Sequence, residues 1–320
     1  MEAVIAGRAA DARCAVDYDR AVPGLTGAAF AASIPAPSIR QIELGPLEIR
    51  LYALCILAGI VVATALTMTR WKARGGDPEL VFEAALWGVL GGLVGGRLYH
   101  VITSWDQLGD EWYAPLAIWE GGLGIWGAIL VGVLAGALVV RLRGASVAGF
   151  MDAAAPGILI AQGIGRLGNY FNQELFGGPT DLPWALEVDL QERPEGYLDV
   201  ATFHPTFLYE MVWNLAAALL LIWIGRRFRV RPPGIFALYV ALYCAGRVIW
   251  EQLRIDPSQQ FYGQRLNFYV AVALLAAAAA VFLVVQLRSA PRQRVLPQVP
   301  RRAGGSRAKA ARPRSKSRRR

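Results

Sequence analysis

Apolar residues in this chain fall into seven runs, at about 51–69, 81–104, 118–140, 147–165, 206–225, 235–253 and 266–287. Each is near the roughly 20 residues that a helix needs to cross a bilayer core. Leu, Ala, Val, Ile and Gly dominate them, as is usual in membrane helices. The pattern predicts an all-α integral membrane protein with seven transmembrane helices. The second run carries GGLVGG at 91–96, small residues at four-residue spacing that let two helices approach closely. No internal repeat is visible, which weighs against a transporter built from inverted repeats. Residues 1–25 are mixed and polar, without the apolar stretch of a cleavable signal peptide.

The loops predict an orientation, because short cytoplasmic loops collect Arg and Lys. Arg70, Lys72 and Arg74 follow the first run, Arg141 and Arg143 the third, and Arg226, Arg227, Arg229 and Arg231 the fifth. The alternate loops are acidic: 105–117 holds Asp106, Asp110 and Glu111, and 172–205 holds one Arg against seven acids. The N-terminus is therefore expected outside and the C-terminus in the cytosol. Residues 1–40 read as an extracytoplasmic extension and 41–288 as a membrane domain. Residues 289–320 read as a disordered, solvated basic tail that fixes topology; the functional alternative is attraction to anionic lipid headgroups, and nucleic acid is not expected.

Composition narrows the classes further. The 320 residues are 55% hydrophobic and 18% charged, with net charge +9, against about 25% charged in soluble domains. A soluble enzyme is excluded. Three cysteines (Cys14, Cys55, Cys244) and two histidines (His100, His204) support neither a disulfide framework nor a histidine-rich metal centre. No HExxH or GxSxG is present, so neither a zincin nor a serine hydrolase is expected. No metal and no cofactor are expected.

Ionisable residues inside membrane runs are costly and mark function. Placed by depth, they gather at one side. Tyr52 opens the first run, Arg97 and His100 close the second, and Glu120 opens the third. Arg166, Asn169, Asn172 and Glu174 follow the fourth, while His204, Tyr209 and Glu210 lead into the fifth. In the sixth, Tyr243, Arg247, Glu251 and Arg254 fall within about 80° of one another on one helical face. That face must look into the bundle. A plain structural reading of it is an Arg247–Glu251 pair at i, i+4.

The segment GRLGNYFNQELFGGPTDLPW at 165–184 is the most informative. Gly165, Gly168, Gly177 and Gly178 allow tight turns or close approach to a ligand. A guanidinium is a fork for phosphate oxygens, and Asn supplies donors and acceptors for glycerol hydroxyls. A phosphate-bearing lipid headgroup fits that inventory.

At these residues the chain resembles the bacterial prolipoprotein diacylglyceryl transferases. The resemblance rests on 165–184 together with HPTFLYE (204–210), IRLYALCILAGI (49–60), GGRLYHV (95–101), WEGGLGIWG (119–127) and GRVIWEQLR (246–254). These motifs occur in family order, from about residue 33 to 270. The resemblance implies an enzyme of the bacterial plasma membrane, its site toward the outer leaflet. It would move the diacylglyceryl group of phosphatidylglycerol to the lipobox cysteine thiol in the signal peptide of a preprolipoprotein, giving a thioether and glycerol phosphate. By motif, the implied catalytic residues are Arg166, Arg247, Glu251, Glu174, Tyr52 and Tyr243. Those implied for binding phosphatidylglycerol are Arg166, Asn169, Gly177, Arg247, Asn172, Arg97 and His204. Glu210 and Arg254 also match motif positions.

One position departs from the family pattern WDGG-x-x-x-H, since Trp126 stands where many members have histidine. That histidine cannot be an obligatory thiol base here. A thiol of pKa near 8.5 must still reach its thiolate form, and a phosphate must leave from carbon. Arg166 and Arg247 are expected to neutralise the phosphate. Glu251 or Glu174 is expected to take the thiol proton, ahead of His204, which reads as an anchor for the fifth run. Two rivals are an anionic-lipid transporter or scramblase using the same arginines, and a membrane scaffold.

Overall fold

The computed structural model describes residues 33–288 apart from 46, 109, 110, 119, 120, 257 and 259. The expectations for the first 32 residues, for Glu120 and for the basic tail from 289 therefore lie outside the described residues. A short antiparallel ladder, β1 (Gln41–Leu44) and β2 (Leu47–Arg50), turns at Gly45 (φ 63°) and runs into α1 (Leu51–Lys72). Then follow α2 (Pro78–Thr103), α3 (Ile125–Leu142) and α4 (Val147–Asn172). Local signals start two of these. Asp77 accepts from Glu79 N with Pro78 in the first turn, and Ser146 accepts from Gly149 N, each satisfying a donor that the first helical turn leaves free.

After α4 the chain forms a cap built on a small ladder, β3 (Leu186–Glu187) with β4 (Thr202–Phe203). Its core is Phe176, Leu186, Val188, Phe203 and Phe207. The remaining elements are α5 (Thr206–Arg227), α6 (Gly234–Trp250), a last ladder of β5 (Gln260–Phe261) and β6 (Gln264–Arg265), and α7 (Leu266–Leu287). Helix α2 packs on α3, α1 on α4, α4 on α5, and α6 on α7. The α2–α3 contact bears out the close approach expected of GGLVGG. A methyl group on Gly95 or Gly127 would run into the other's carbonyl.

Among the described residues, six of the seven α-helices are long and apolar enough to cross a membrane; the remaining one, α6, is shorter at 17 residues. Their flanks match that solvent. Leu57, Val61, Leu130, Leu134, Leu219 and Leu283 are all exposed, an apolar belt far beyond what water tolerates.

The all-α expectation holds, with three short two-stranded ladders beside the helices among the described residues. The structure corrects three expectations of detail. The third helix begins at Ile125, not 118, because Gly121 and Gly122 take φ of 93° and 73° and Pro115 sits in a short 3-10 turn. The fourth runs on to Asn172, so Arg166, Asn169 and Asn172 occupy its last two turns rather than a following loop. The sixth ends at Trp250. There Leu253 O accepts from Gly178 N at 2.9 Å, a bond across to another segment that replaces helix continuation. Arg254 is consequently off the helix and off the face that its spacing suggested.

At the arginine-rich end a proline is compensated across helices. Pro156 lies inside α4 and has no N–H for the carbonyl of Asp152. Arg70 of α1 donates to that carbonyl at 3.3 Å and to Ala153 O at 2.9 Å. The Asp152 side chain in turn accepts from Phe236 N at 2.9 Å and caps α6, which has no side-chain cap of its own.

Candidate active site

Two charged systems meet at the opposite end. The first begins on α4. Arg166 Nη2 lies 2.5 Å from Glu210 Oε2 on α5, and its Nη1 donates to Asn169 Oδ1 at 3.2 Å. Asn169 Nδ2 donates to Glu174 Oε1 at 2.8 Å, and Asn172 Nδ2 to the same oxygen at 3.3 Å. Helical spacing explains the set, since residues three apart share a face. The chain then reverses at Gln173, in the left-handed region at φ 51°, bringing Glu174 back over the helix end.

The second system centres on Glu251, 1% exposed just beyond α6. Arg247 Nη2 lies 2.8 Å from one of its oxygens and Arg265 Nε 2.8 Å from the other. Neither N–H is aligned as a hydrogen bond, so these are charge contacts. Asn267 Nδ2 donates to Glu251 Oε1 at 3.4 Å. Arg265 also reaches Asp256 at 2.7 Å, and Asp256 takes two bonds from Arg254 at 2.8 and 3.0 Å. Burial pushes the Asp256 carboxyl up, but the hydrogen bonds and charges of Arg254 and Arg265 outweigh it and hold the group below the usual carboxylate range.

One crevice between α5 and α6 joins the systems. Glu210, Trp213, Asn214, Tyr243, Gly246, Arg247 and Trp250 line it, so the carboxylate partner of Arg166 and the guanidinium of Arg247 share a wall. Tyr52 is drawn in from α1. Gly168 packs against its ring, where a Cβ would overlap it, and its hydroxyl feels the charges of Glu174 and Arg166.

A family model described as prolipoprotein diacylglyceryl transferase matches residues 40–285. The chain is 54% identical over 260 residues to the phosphatidylglycerol–prolipoprotein diacylglyceryl transferase of Cutibacterium acnes, covering 80% of this chain and 88% of that one. It is 49% identical over 256 residues to such a transferase, numbered 2, of Streptomyces coelicolor (79% and 81% covered), and 46% over 269 residues to that of Mycobacteroides abscessus (79% and 78%). The chain belongs to the prolipoprotein diacylglyceryl transferase family. As a member it is a membrane transferase of lipoprotein biosynthesis, and the transporter and scaffold readings fall away.

Within this family fold, some motif residues have work other than the site. Arg97 donates to Pro115 O at 2.9 Å, to Gly121 O and Gly122 O at 2.7 and 3.2 Å, and to Ala114 O. Its guanidinium holds the α2–α3 connection, a structural task beside the lipid-binding role that the motif implied. His204 joins an aromatic cluster at the entry to α5. Its Nδ1 faces Tyr209 Oη at 3.3 Å, and Tyr209 Oη accepts from Trp184 Nε1 at 3.1 Å. Gly177 is explained by space. A Cβ there would meet His204 Cβ at 2.8 Å and Leu253 O at 3.0 Å, where three segments cross. Trp126 sits half-exposed in the first turn of α3.

Sequence reasoning missed Arg265, Asp256, Asn267 and Asn214, and left Glu210 without a partner. A signal existed for Arg265 and Asn267: a charge and an amide open the last apolar run, an expensive place for either.

Proposed function

We propose that this chain moves the diacylglyceryl group of phosphatidylglycerol onto the thiol of a lipobox cysteine in a preprolipoprotein. The sulfur forms a bond to the glyceryl carbon that carries the phosphate, and that carbon–oxygen bond breaks. The thiol proton goes to a base, and the electron pair leaves with glycerol phosphate. The observation that carries the reading is the crevice wall shared by Glu210, the partner of Arg166, and by Arg247. Two guanidiniums from separate helices can neutralise the leaving phosphate where water is scarce.

Glu174 is the better proton acceptor of the two carboxylates that the motifs single out. It is exposed and held by two neutral amides at one oxygen, whereas Glu251 is buried between two guanidiniums. Nearby arginines also favour the thiolate directly. Asn169 and Asn172 orient Glu174, and Tyr52 and Tyr243 shape the two sides of the site.

The reading includes a topology. Seven helices span the bacterial plasma membrane, with the end carrying Arg70, Lys72, Arg141, Arg226 and Arg227 in the cytosol and the site open to the outer leaflet. The N-terminus then lies outside, ahead of the membrane domain of residues 41–288, and the tail from 289 lies in the cytosol. Purified protein, phosphatidylglycerol and a lipobox peptide should yield a diacylglyceryl-peptide by mass spectrometry. No product from folded protein would reject the assignment.

A further inference from the structure

Beneath the charged residues lies a second, uncharged tier. Gln162 is four residues from Arg166 on α4, Asn214 four from Glu210 on α5, and Tyr243 four from Arg247 on α6. Each step runs toward the middle of its helix, about 6 Å deeper. Three helices thus repeat one arrangement, with a charge near the end and a neutral polar group one turn below.

That tier carries unused hydrogen-bonding capacity. Asn214 is 2% exposed, and its Nδ2 has no hydrogen-bond partner among the described residues. It lines the crevice with Glu210, Tyr243, Arg247 and Trp250, and Trp250 Nε1 is a second donor without a partner there. On α4, Gln162 Nε2 donates to Tyr239 Oη at 3.2 Å while its Oε1 is unpartnered. A buried amide without a partner is costly, and hydrocarbon cannot relieve it. A ligand can, provided that it brings a neutral acceptor to this depth.

Building on the phosphate reading above, we propose that Asn214 donates a hydrogen bond to an ester carbonyl of the substrate lipid. In a glycerophospholipid the ester carbonyls lie on the hydrocarbon side of the phosphate and are uncharged acceptors. With the phosphate at the arginines, the esters fall toward this tier. The esters belong to the group transferred, not to the group that leaves, and neither ester bond changes. Asn214 therefore positions the glyceryl carbon for attack and makes the site prefer diacyl over dialkyl lipids.

The test pairs a protein change with a lipid change. Wild type and Asn214→Leu are compared on phosphatidylglycerol and on its diether analogue, which keeps the phosphate and chains but lacks both carbonyls. Lipid binding by native mass spectrometry is measured beside kcat/KM with a lipobox peptide. Wild type should favour the diester roughly tenfold, as for one hydrogen bond. Asn214→Leu should lose that preference, its kcat/KM falling further on the diester than on the diether. Its Tm should not fall, because the Nδ2 it removes has no hydrogen-bond partner among the described residues. Equal losses on both lipids, a lowered Tm, or an unchanged preference would each overturn the assignment. Asn214→Ala repeats the comparison if the leucine variant does not fold. Arg247→Lys separates the two readings. Undiminished activity on both lipids in that variant would remove the phosphate clamp, while the Asn214 comparison would still report on ester contact.

Discussion

Arg166 Nη2 lies 2.5 Å from Glu210 Oε2, joining the last turns of α4 to the second turn of α5. The pair is largely buried, at 15% and 6% side-chain exposure, and so aims the guanidinium toward the crevice that Glu210 lines. Lysine would keep the charge but lose the planar fork. Arg166→Lys should fold and reach the membrane yet lose about 100- to 1000-fold in transfer rate, as when one charge-assisted contact to a transition state is removed. Single-turnover assays on the purified variant check this.

Arg247→Lys should behave alike. The rival view is that Arg247 merely neutralises Glu251, but Arg265 already stands 2.8 Å from that carboxylate. Arg247 is thus not its sole counter-charge. Wild-type turnover in Arg247→Lys would return Arg247 to a structural role.

The two candidate carboxylates can be told apart by pH. If Glu174 takes the thiol proton, Glu174→Gln should cut kcat by roughly 100-fold or more and abolish the acidic limb of the rate profile. Glu251→Gln should instead unsettle Arg247 and Arg265, lowering Tm and leaving the limb in place. The opposite pattern would assign the base to Glu251.

Asp256 links stability to acid. Its carboxyl is held below its ordinary value, so the folded state binds the proton less tightly than the unfolded chain. The stabilisation is fully present above the unfolded value and is lost as pH falls through the folded one. Asp256→Asn should therefore lower Tm at pH 7, by an amount that shrinks as the pH falls below the ordinary carboxylate range, as read by thermal unfolding in detergent.

Trp112 is 85% exposed in the α2–α3 connection. Trp112→Cys, in a background lacking the native cysteines, should react with an impermeant maleimide added to intact cells. Labelling that requires permeabilisation would invert the topology.

Much of this was legible in local pattern. Run length predicted the helices, and the charges at 166, 247 and 251 stood out because bilayer hydrocarbon excludes them. Family order of the motifs followed from the same residues. Trp126 has no titratable side chain, so the sequence alone showed that this position supplies no base.

Partner choice was not legible. Spacing along one helix sets the face and depth of a residue, but not the rotation of that helix against the next. Hence the partner of Arg166 is Glu210, 44 positions away, rather than Glu174 nearby. Arg265 joins Glu251 only because α7 packs on α6. The motif implied a lipid-binding role for Arg97, and nothing in the sequence showed that its guanidinium also holds carbonyls of a glycine-rich connection whose path no periodicity describes. Asn214 in the sequence is an ordinary amide in an apolar run. Its missing partner exists only in three dimensions, because hydrogen-bond satisfaction depends on what the neighbouring helices place within about 3 Å.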